Sequence, residues 1–316
     1  MSAKEASHSR SVYPLRVKKL VVAADIDSSL DERARGDARF EILRRPVRTE
    51  AELVNVVHDA HVLATRAYNK VTRRVLEAAP HLELIVQGTA GIDNVDLEAA
   101  RERGIRVIHL PGVNANAVAE LVVGFMISLT RTVPFYTREL VRGAFGRDDC
   151  AERHELRHFR LGIVGLGNVG SLVAKYARVF GMRVAAYDPY VEEARVPSLD
   201  ELLRTSDILT LHVPLTHETR KMIGAAEIAK LARGSYLINA SRGEVLDQQA
   251  ALEALASGHL AGVALDVFDP EPIEGPLPDD PRLILTPHIG GCSWEVKTTV
   301  GGRLFEKIAE FYSLSS

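Results

Sequence analysis

Leu161-Gly162-Ile163-Val164-Gly165-Leu166-Gly167-Asn168-Val169-Gly170 runs into Ser171-Leu172-Val173-Ala174-Lys175-Tyr176-Ala177-Arg178-Val179-Phe180, then Gly181-Met182-Arg183-Val184-Ala185-Ala186-Tyr187-Asp188. A short apolar run, a G-x-G-x-x-G turn, a helix-like stretch and a second apolar run closed by an acid follow one another in register. Gly165 permits a tight turn off a strand, Gly167 lets main chain approach a pyrophosphate, and Gly170 lets a helix pack close to the strand. The helix start at Asn168 and Val169 offers unpaired N–H groups and the positive end of the helix dipole to phosphate. Asp188 lies 18 residues beyond Gly170, close to the ~20 expected of an acid that binds a ribose 2′-hydroxyl. A carboxylate there repels a 2′-phosphate, so the stretch is read as a Rossmann turn suited to NAD rather than NADP.

Outward from this motif, composition sets bounds. A chain of 316 residues favours about two domains. Hydrophobic content of 46% and charged content of 26% lie in the globular range. A net charge of −3 supplies no basic field, so nucleic acid is not an expected partner. No uncharged apolar run reaches the ~18 residues of a membrane span, and the N-terminus lacks a signal-peptide core. Two cysteines, Cys150 and Cys292, make no disulfide framework, and a reducing, cytoplasmic setting is expected. Residues 1 to about 17 are polar and expected to be disordered.

From Lys19 onward, strand-like and helix-like segments alternate. Strands are expected at 20–24, 40–43, 62–65, 82–86 and 106–110, and helices at 50–57, 71–79 and 97–103. This alternation implies a parallel sheet with helices on both faces. A long apolar helix, 116–131, connects to the unit that holds the glycine motif. That unit continues with helices at 225–232 and 248–257 and strands at 208–211, 236–239, 263–267 and 283–285. The last helix, 296–312, is expected to return to the first unit. The fold class expected is therefore α/β, with two doubly wound parallel-sheet domains. Residues 1–115 plus 293–316 form a flavodoxin-like domain, and 116–292 form a Rossmann domain.

Three charged residues follow strands of the second unit: Arg242 after Leu237-Ile238-Asn239-Ala240-Ser241, Glu271 after Val267-Phe268-Asp269-Pro270, and His288 after Leu285-Thr286-Pro287. Ligands of doubly wound sheets bind outside the carboxyl ends of the strands. Hydride transfer between a nicotinamide and a carbon requires a proton to move on the attached oxygen. Histidine exchanges protons near neutrality, and a neighbouring carboxylate favours its imidazolium form. An arginine fork grips a carboxylate and polarises an adjacent carbonyl. The substrate class implied is a small 2-keto or 2-hydroxy acid.

At these residues the chain resembles the D-isomer-specific 2-hydroxyacid dehydrogenases, from about Lys19 to its end. The resemblance is carried by Gly88-Thr89-Ala90-Gly91-Ile92-Asp93-Asn94-Val95-Asp96, by Gly165 to Gly170, and by Leu211-His212-Val213-Pro214-Leu215-Thr216. It continues through Asn239-Ala240-Ser241-Arg242-Gly243, Ala264-Leu265-Asp266-Val267-Phe268 with Glu271-Pro272, and Thr286-Pro287-His288-Ile289-Gly290-Gly291. It implies Arg242 as substrate binder, His288 as acid/base and Glu271 as its partner. It implies Val213, Pro214, Thr219, Ala240, Ser241, Asp266 and Gly290, beside His288, around the NAD, with Asp266 near the nicotinamide amide. It also implies a homodimer built through the coenzyme domain.

The same resemblance puts Ala90 and Gly91 over the substrate, where successive N–H groups form a nest for a carboxylate. Arg66 resembles a residue that some phosphoglycerate dehydrogenases hold near the substrate phosphate. Gln87 stands where those enzymes usually carry a second arginine, which weakens the case for a phosphorylated substrate. Related formate dehydrogenases pair their histidine with glutamine, and Glu271 argues against that activity. The alternative function is an NAD(H)-sensing binding protein, like the co-repressors that share this pattern. His154-Glu155-Leu156-Arg157-His158 fits H-E-x-x-H, but a strand is expected three residues later, too soon for the sustained helix a zinc site needs. No metal is expected.

Overall fold

The computed structural model describes residues 17–146, 153–192 and 196–314. The expectations for residues 1–16 and for Cys150 fall outside them. The chain divides into two compact units, one ending at Leu110 and resuming at Thr298, the other spanning Pro111–Lys297.

The first unit runs β1 (Lys18–Val22), α1 (Ser29–Arg35), β2 (Phe40–Arg44), α2 (Glu50–Val56), β3 (Val62–Thr65), α3 (Arg73–Glu77), β4 (Leu84–Gln87), α4 (Leu97–Glu102) and β5 (Arg106–His109). Its parallel sheet has the order β2-β1-β3-β4-β5, the flavodoxin-like arrangement. β3 and β4 are buried at every position, as strands covered on both faces must be. Turn chemistry starts the helices. Thr49 and Glu52 form a reciprocal capping box on α2, and Asp96 accepts the Ala99 N–H at 2.9 Å on α4.

The second unit opens with α5 (Ala115–Thr130) and α6 (Val133–Val141). It continues with β6 (Arg160–Val164), α7 (Asn168–Val179), β7 (Arg183–Tyr187), α8 (Leu199–Thr205), β8 (Ile208–Leu211), α9 (Ala225–Ile228), β9 (Ser235–Asn239), α10 (Gln248–Ala256), β10 (Leu260–Leu265) and β11 (Leu283–Leu285). Its parallel sheet has the order β11-β10-β9-β8-β6-β7. The direction of winding reverses between β6 and β8, so the switch point lies at their carboxyl ends. The usual Rossmann order adds one more strand outside the second; here the Val196 N–H donates to Ala186 O at 3.4 Å beside β7. α5 packs on α7 in an apolar layer that includes Val122, Phe125, Met126, Val173 and Ala177.

α11 (Trp294–Leu314) begins in the second unit and continues into the first. There Val300, Leu304, Phe305 and Ile308 are buried. The Tyr312 hydroxyl donates to Glu83 Oε2 at 2.8 Å, and Phe40 meets the rings of Phe305 and Tyr312 edge-on.

Two expected helices are shorter than their sequence pattern. α3 starts at Arg73 because Val71 bridges to Val95, its N–H donating to Asn94 O at 2.8 Å. The segment expected as 225–232 is helical only to Ile228. The N–H groups of Lys230 and Leu231 then bond three residues back, to Glu227 O and Ile228 O, tightening the end. α1, α6 and α8 are not anticipated from the sequence. Among the described residues no single helix is long and apolar enough to cross a membrane; α5 and α6 together reach that length, but bend by 65° at their junction.

Candidate functional site

At the switch point the three glycines have different surroundings. Gly165 adopts φ +91°, and a Cβ there would lie 2.7 Å from His212 O, so only glycine makes this turn. A Cβ on Gly170 would lie 2.0 Å from Gly165 O, so α7 sits against the turn. A Cβ on Gly167 would meet nothing within 4 Å. Gly167 is also the N-cap of α7, and no side chain caps that helix. The helix therefore presents its first amides beside open space, which fits a phosphate. Asp188 Oδ2 accepts the Leu166 N–H at 2.8 Å and Oδ1 accepts the Tyr190 N–H at 2.9 Å. The carboxylate is thereby held over the glycine turn with lone pairs left on both oxygens, as ribose binding requires.

Val213 and Pro214 follow β8. The Thr219 hydroxyl donates to Pro214 O at 2.6 Å and accepts the Thr216 N–H at 2.8 Å, closing the loop 214–219 on itself.

The loop after β9 is built by Asn239, which is 1% exposed. Its Oδ1 accepts from the N–H and Oγ of Ser241 at 3.1 and 2.9 Å, and its Nδ2 donates to Arg242 O at 2.9 Å. Arg242 Nη1 donates to Ser241 O at 2.7 Å. A Cβ on Gly243 would fall 1.8 Å from Phe268 O, so the loop carrying Arg242 lies flat against the segment that follows β10. Sequence reasoning quoted Asn239 but gave it no role. The signal available was the N-x-S spacing, which suits an Asx turn.

Asp266, also 1% exposed, builds the neighbouring loop. It accepts from Thr286 Oγ1 at 2.6 Å and from the N–H groups of Ile289 and Gly290, each at 2.8 Å. These bonds hold His288 at φ +55°, a left-handed conformation uncommon outside glycine. His288 Nδ1 meets Glu271 Oε1 at 2.6 Å, with the two side chains 39% and 41% exposed. The Glu271 hydrogen bond raises the His288 pKa above its ordinary value, against desolvation. The His288 hydrogen bond, opposed by desolvation, lowers that of Glu271. The positive charge of Arg242 lowers both by a smaller amount. An ionised carboxylate only accepts, so Nδ1 carries a proton and Nε2 is the nitrogen left for proton exchange.

Arg66, Ala90 and Gly91 lie in the first unit. Arg66 N–H donates to Asn69 Oδ1 at 3.0 Å, and its Nη1 reaches Asp25 O at 3.4 Å. Gln87 is fully buried and bonds Thr65 Oγ1 and Asn94 Oδ1, so it is a structural strut of this sheet end. Ala90 and Gly91 form a turn after β4. Of the H-E-x-x-H residues, only Leu156–His158 form a single 3-10 turn, and His154 lies before it in irregular chain. No shared helical face presents the two histidines.

A doubly wound sheet whose first turn suits a dinucleotide phosphate, with a histidine–glutamate pair and an arginine in the loops after neighbouring strands, fits a nucleotide-dependent oxidoreductase. Residues 123–290 match the family described as "D-isomer specific 2-hydroxyacid dehydrogenase, NAD binding domain". The chain belongs to the D-isomer-specific 2-hydroxyacid dehydrogenases, and this part of it is their NAD-binding domain. It is 38% identical to the hydroxypyruvate reductase of Thermotoga maritima over 81% of this chain and 86% of that one. It is 39% identical to the D-3-phosphoglycerate dehydrogenase of Methanocaldococcus jannaschii over 82% of this chain; the match spans only 51% of that longer protein. The structure of Aquifex aeolicus D-lactate dehydrogenase, complexed with NAD and lactic acid, superposes with a TM-score of 0.81 at 29% identity, covering 93% of this chain and 95% of that one.

Proposed function

We propose that the protein is an NAD-dependent D-2-hydroxyacid dehydrogenase that works on a small 2-keto or 2-hydroxy acid. The carrying observation is the 2.6 Å His288–Glu271 bond, in loops that, like the one bearing Arg242, follow the strands of the sheet that also carries the glycine turn. On this reading residues 116–292 hold the coenzyme, and residues 1–115 with 293–316 form the substrate domain.

The residues proposed to hold NAD are the turn Gly165–Gly170, with Asn168 and Val169 at the helix start, and Asp188 for the ribose. Val213, Pro214, Thr219, Ala240 and Ser241 flank it; Asp266 and Gly290 stand by the nicotinamide. Bound NADH supplies a hydride to the keto carbon. The chain's own groups manage the rest. Arg242 pairs with the substrate carboxylate and polarises the keto carbonyl. His288 Nε2 delivers the proton to the substrate oxygen, while Glu271 stabilises the imidazolium and fixes the ring. Arg66 and the amides at Ala90 and Gly91 are proposed as further substrate contacts.

The test is loss of NADH absorbance against a panel of 2-keto acids, with NADPH in parallel. Turnover with NADH and at least one keto acid is expected. His288→Ala is expected to lose most turnover while keeping NADH affinity. Retained turnover in that variant removes His288 from its role, and silence across the panel removes the enzyme reading.

A homodimer is part of the proposal. α6 has no buried residue, and Leu140, Val141 and Phe145 are 54%, 84% and 83% exposed. A second copy covering this apolar face is the expected occupant, in line with the family resemblance. A cytoplasmic setting completes it, and the exposed free thiol of Cys292 fits a reducing compartment.

A further inference from the structure

The turn after β4 is braced carbonyl by carbonyl. The Leu110 N–H donates to Thr89 O at 3.2 Å, His109 Nδ1 meets Ala90 O at 2.6 Å, and Thr89 Oγ1 donates to Gly91 O at 3.1 Å. A carbonyl oxygen only accepts, so His109 carries its proton on Nδ1. In a trans peptide the N–H points opposite to the C=O. Each bond therefore turns the next amide, of Ala90, Gly91 and Ile92, away from the group that braces it. Among the described residues no protein acceptor takes any of these three N–H groups.

Both ends of the turn are pinned as well. Gly88 N–H donates to Thr65 O at 2.8 Å, and Asn94 is held by Gln87 Nε2 at 2.8 Å and itself donates to Asn69 O at 2.7 Å. Successive amides left without a protein acceptor on a fixed turn are groups an anion can take up. Thr89 and Leu110 belong to the turn and to the adjacent main chain. His109 is the one brace contributed by a side chain from another element.

We propose that His109 is a positioning residue, which sets the Ala90–Ile92 amides to receive the carboxylate of the 2-keto acid. The proposal rests on the function argued above, and it adds a residue that neither the motifs nor the resemblance points to. His109 acts through the turn, by keeping the Ala90–Gly91 peptide plane from rotating.

Three variants test it. His109→Leu keeps the shape near Cγ and removes the donor. His109→Asn puts its Nδ2 where the histidine has Nδ1, restoring the donor. Thr89→Val removes the brace on Gly91 O. With NADH and the best keto acid, H109L is expected to raise KM about fivefold to tenfold, the effect of one lost neutral hydrogen bond. Its kcat should stay within about twofold and its NADH affinity should be unchanged, because the loss falls equally on ground state and transition state. T89V should move KM in the same direction, and H109N should recover most of the loss. An unchanged KM in H109L, or an H109N as impaired as H109L, overturns the proposal.

Calorimetric titration of oxamate into the NADH-loaded protein separates this idea from the functional reading. If the wild-type protein turns over no keto acid, but binds oxamate and H109L binds it more weakly, the enzyme reading fails and the turn assignment stands. If H109L and wild type bind oxamate alike, or the wild type does not bind it, the turn assignment fails whatever the turnover.

Discussion

The bond between His288 Nδ1 and Glu271 Oε1 leaves Nε2 as the only ring nitrogen able to exchange a proton with substrate. Glu271 raises the pKa of His288. The imidazolium thus persists to higher pH than it would alone. Keto-acid reduction needs that cation, so its rate should fall as pH rises through the raised pKa. Glu271→Gln should move the fall to lower pH by about one unit, read from kcat/KM against pH; an unmoved profile would separate Glu271 from the titration. Asp188 allows a second prediction. Asp188→Asn removes the charge that repels a 2′-phosphate, so the NADH/NADPH preference in kcat/KM should narrow by about tenfold or more. That Arg242, Glu271 and His288 follow strands was legible in the sequence, because each is placed just after an apolar run. The residues that hold them were not. Asn239 and Asp266 act through main-chain groups whose directions only the folded loop fixes, and His109 meets a carbonyl 19 residues away.

Elements answer to packing more than to pattern. Gly170 has no room for a Cβ, and Gly167 has open space. Gly170→Ala should therefore cost about 3 kcal/mol in urea unfolding through overpacking. Gly167→Ala should change stability by only about 0.5 kcal/mol yet weaken NADH binding, since it fills the space beside the α7 amides. Equal destabilisation by the two would contradict the distinction. Leu140→Asp should leave the fold intact and yield monomers in sedimentation, if the bare face of α6 meets a second copy. The strands were legible because parallel strands buried on both faces are continuous apolar runs. α3 was overestimated because nothing in its own sequence announces that Val71 pairs with Val95. α1 and α8 were not anticipated: each is seven residues long and carries charged residues at several positions, which blurs its apolar pattern.

At the scale of the molecule, the chain leaves its first unit at Leu110 and resumes it at Thr298. The last helix was legible from its apolar pattern, and its buried side lies in the first unit. Leu304 is fully buried in the first unit. Leu304→Ala should cost roughly 3 kcal/mol, and in hydrogen exchange it should speed the amides of β1, β3 and β4 while leaving β6, β8 and β9 protected. Uniform acceleration across both sheets would show that the units unfold as one.

The divided first unit also sets an order of manufacture. During synthesis β1 to β5 emerge before the second unit, but Val300, Leu304, Phe305 and Ile308, buried in the first unit, are translated after it. Domains tend to fold as they leave the ribosome. Here the second unit, whose segments are almost contiguous, can close while the first still waits for its last helix. The nascent chain therefore carries an unfinished sheet while the whole of the second unit is made, and that is the interval in which a chaperone has something to hold.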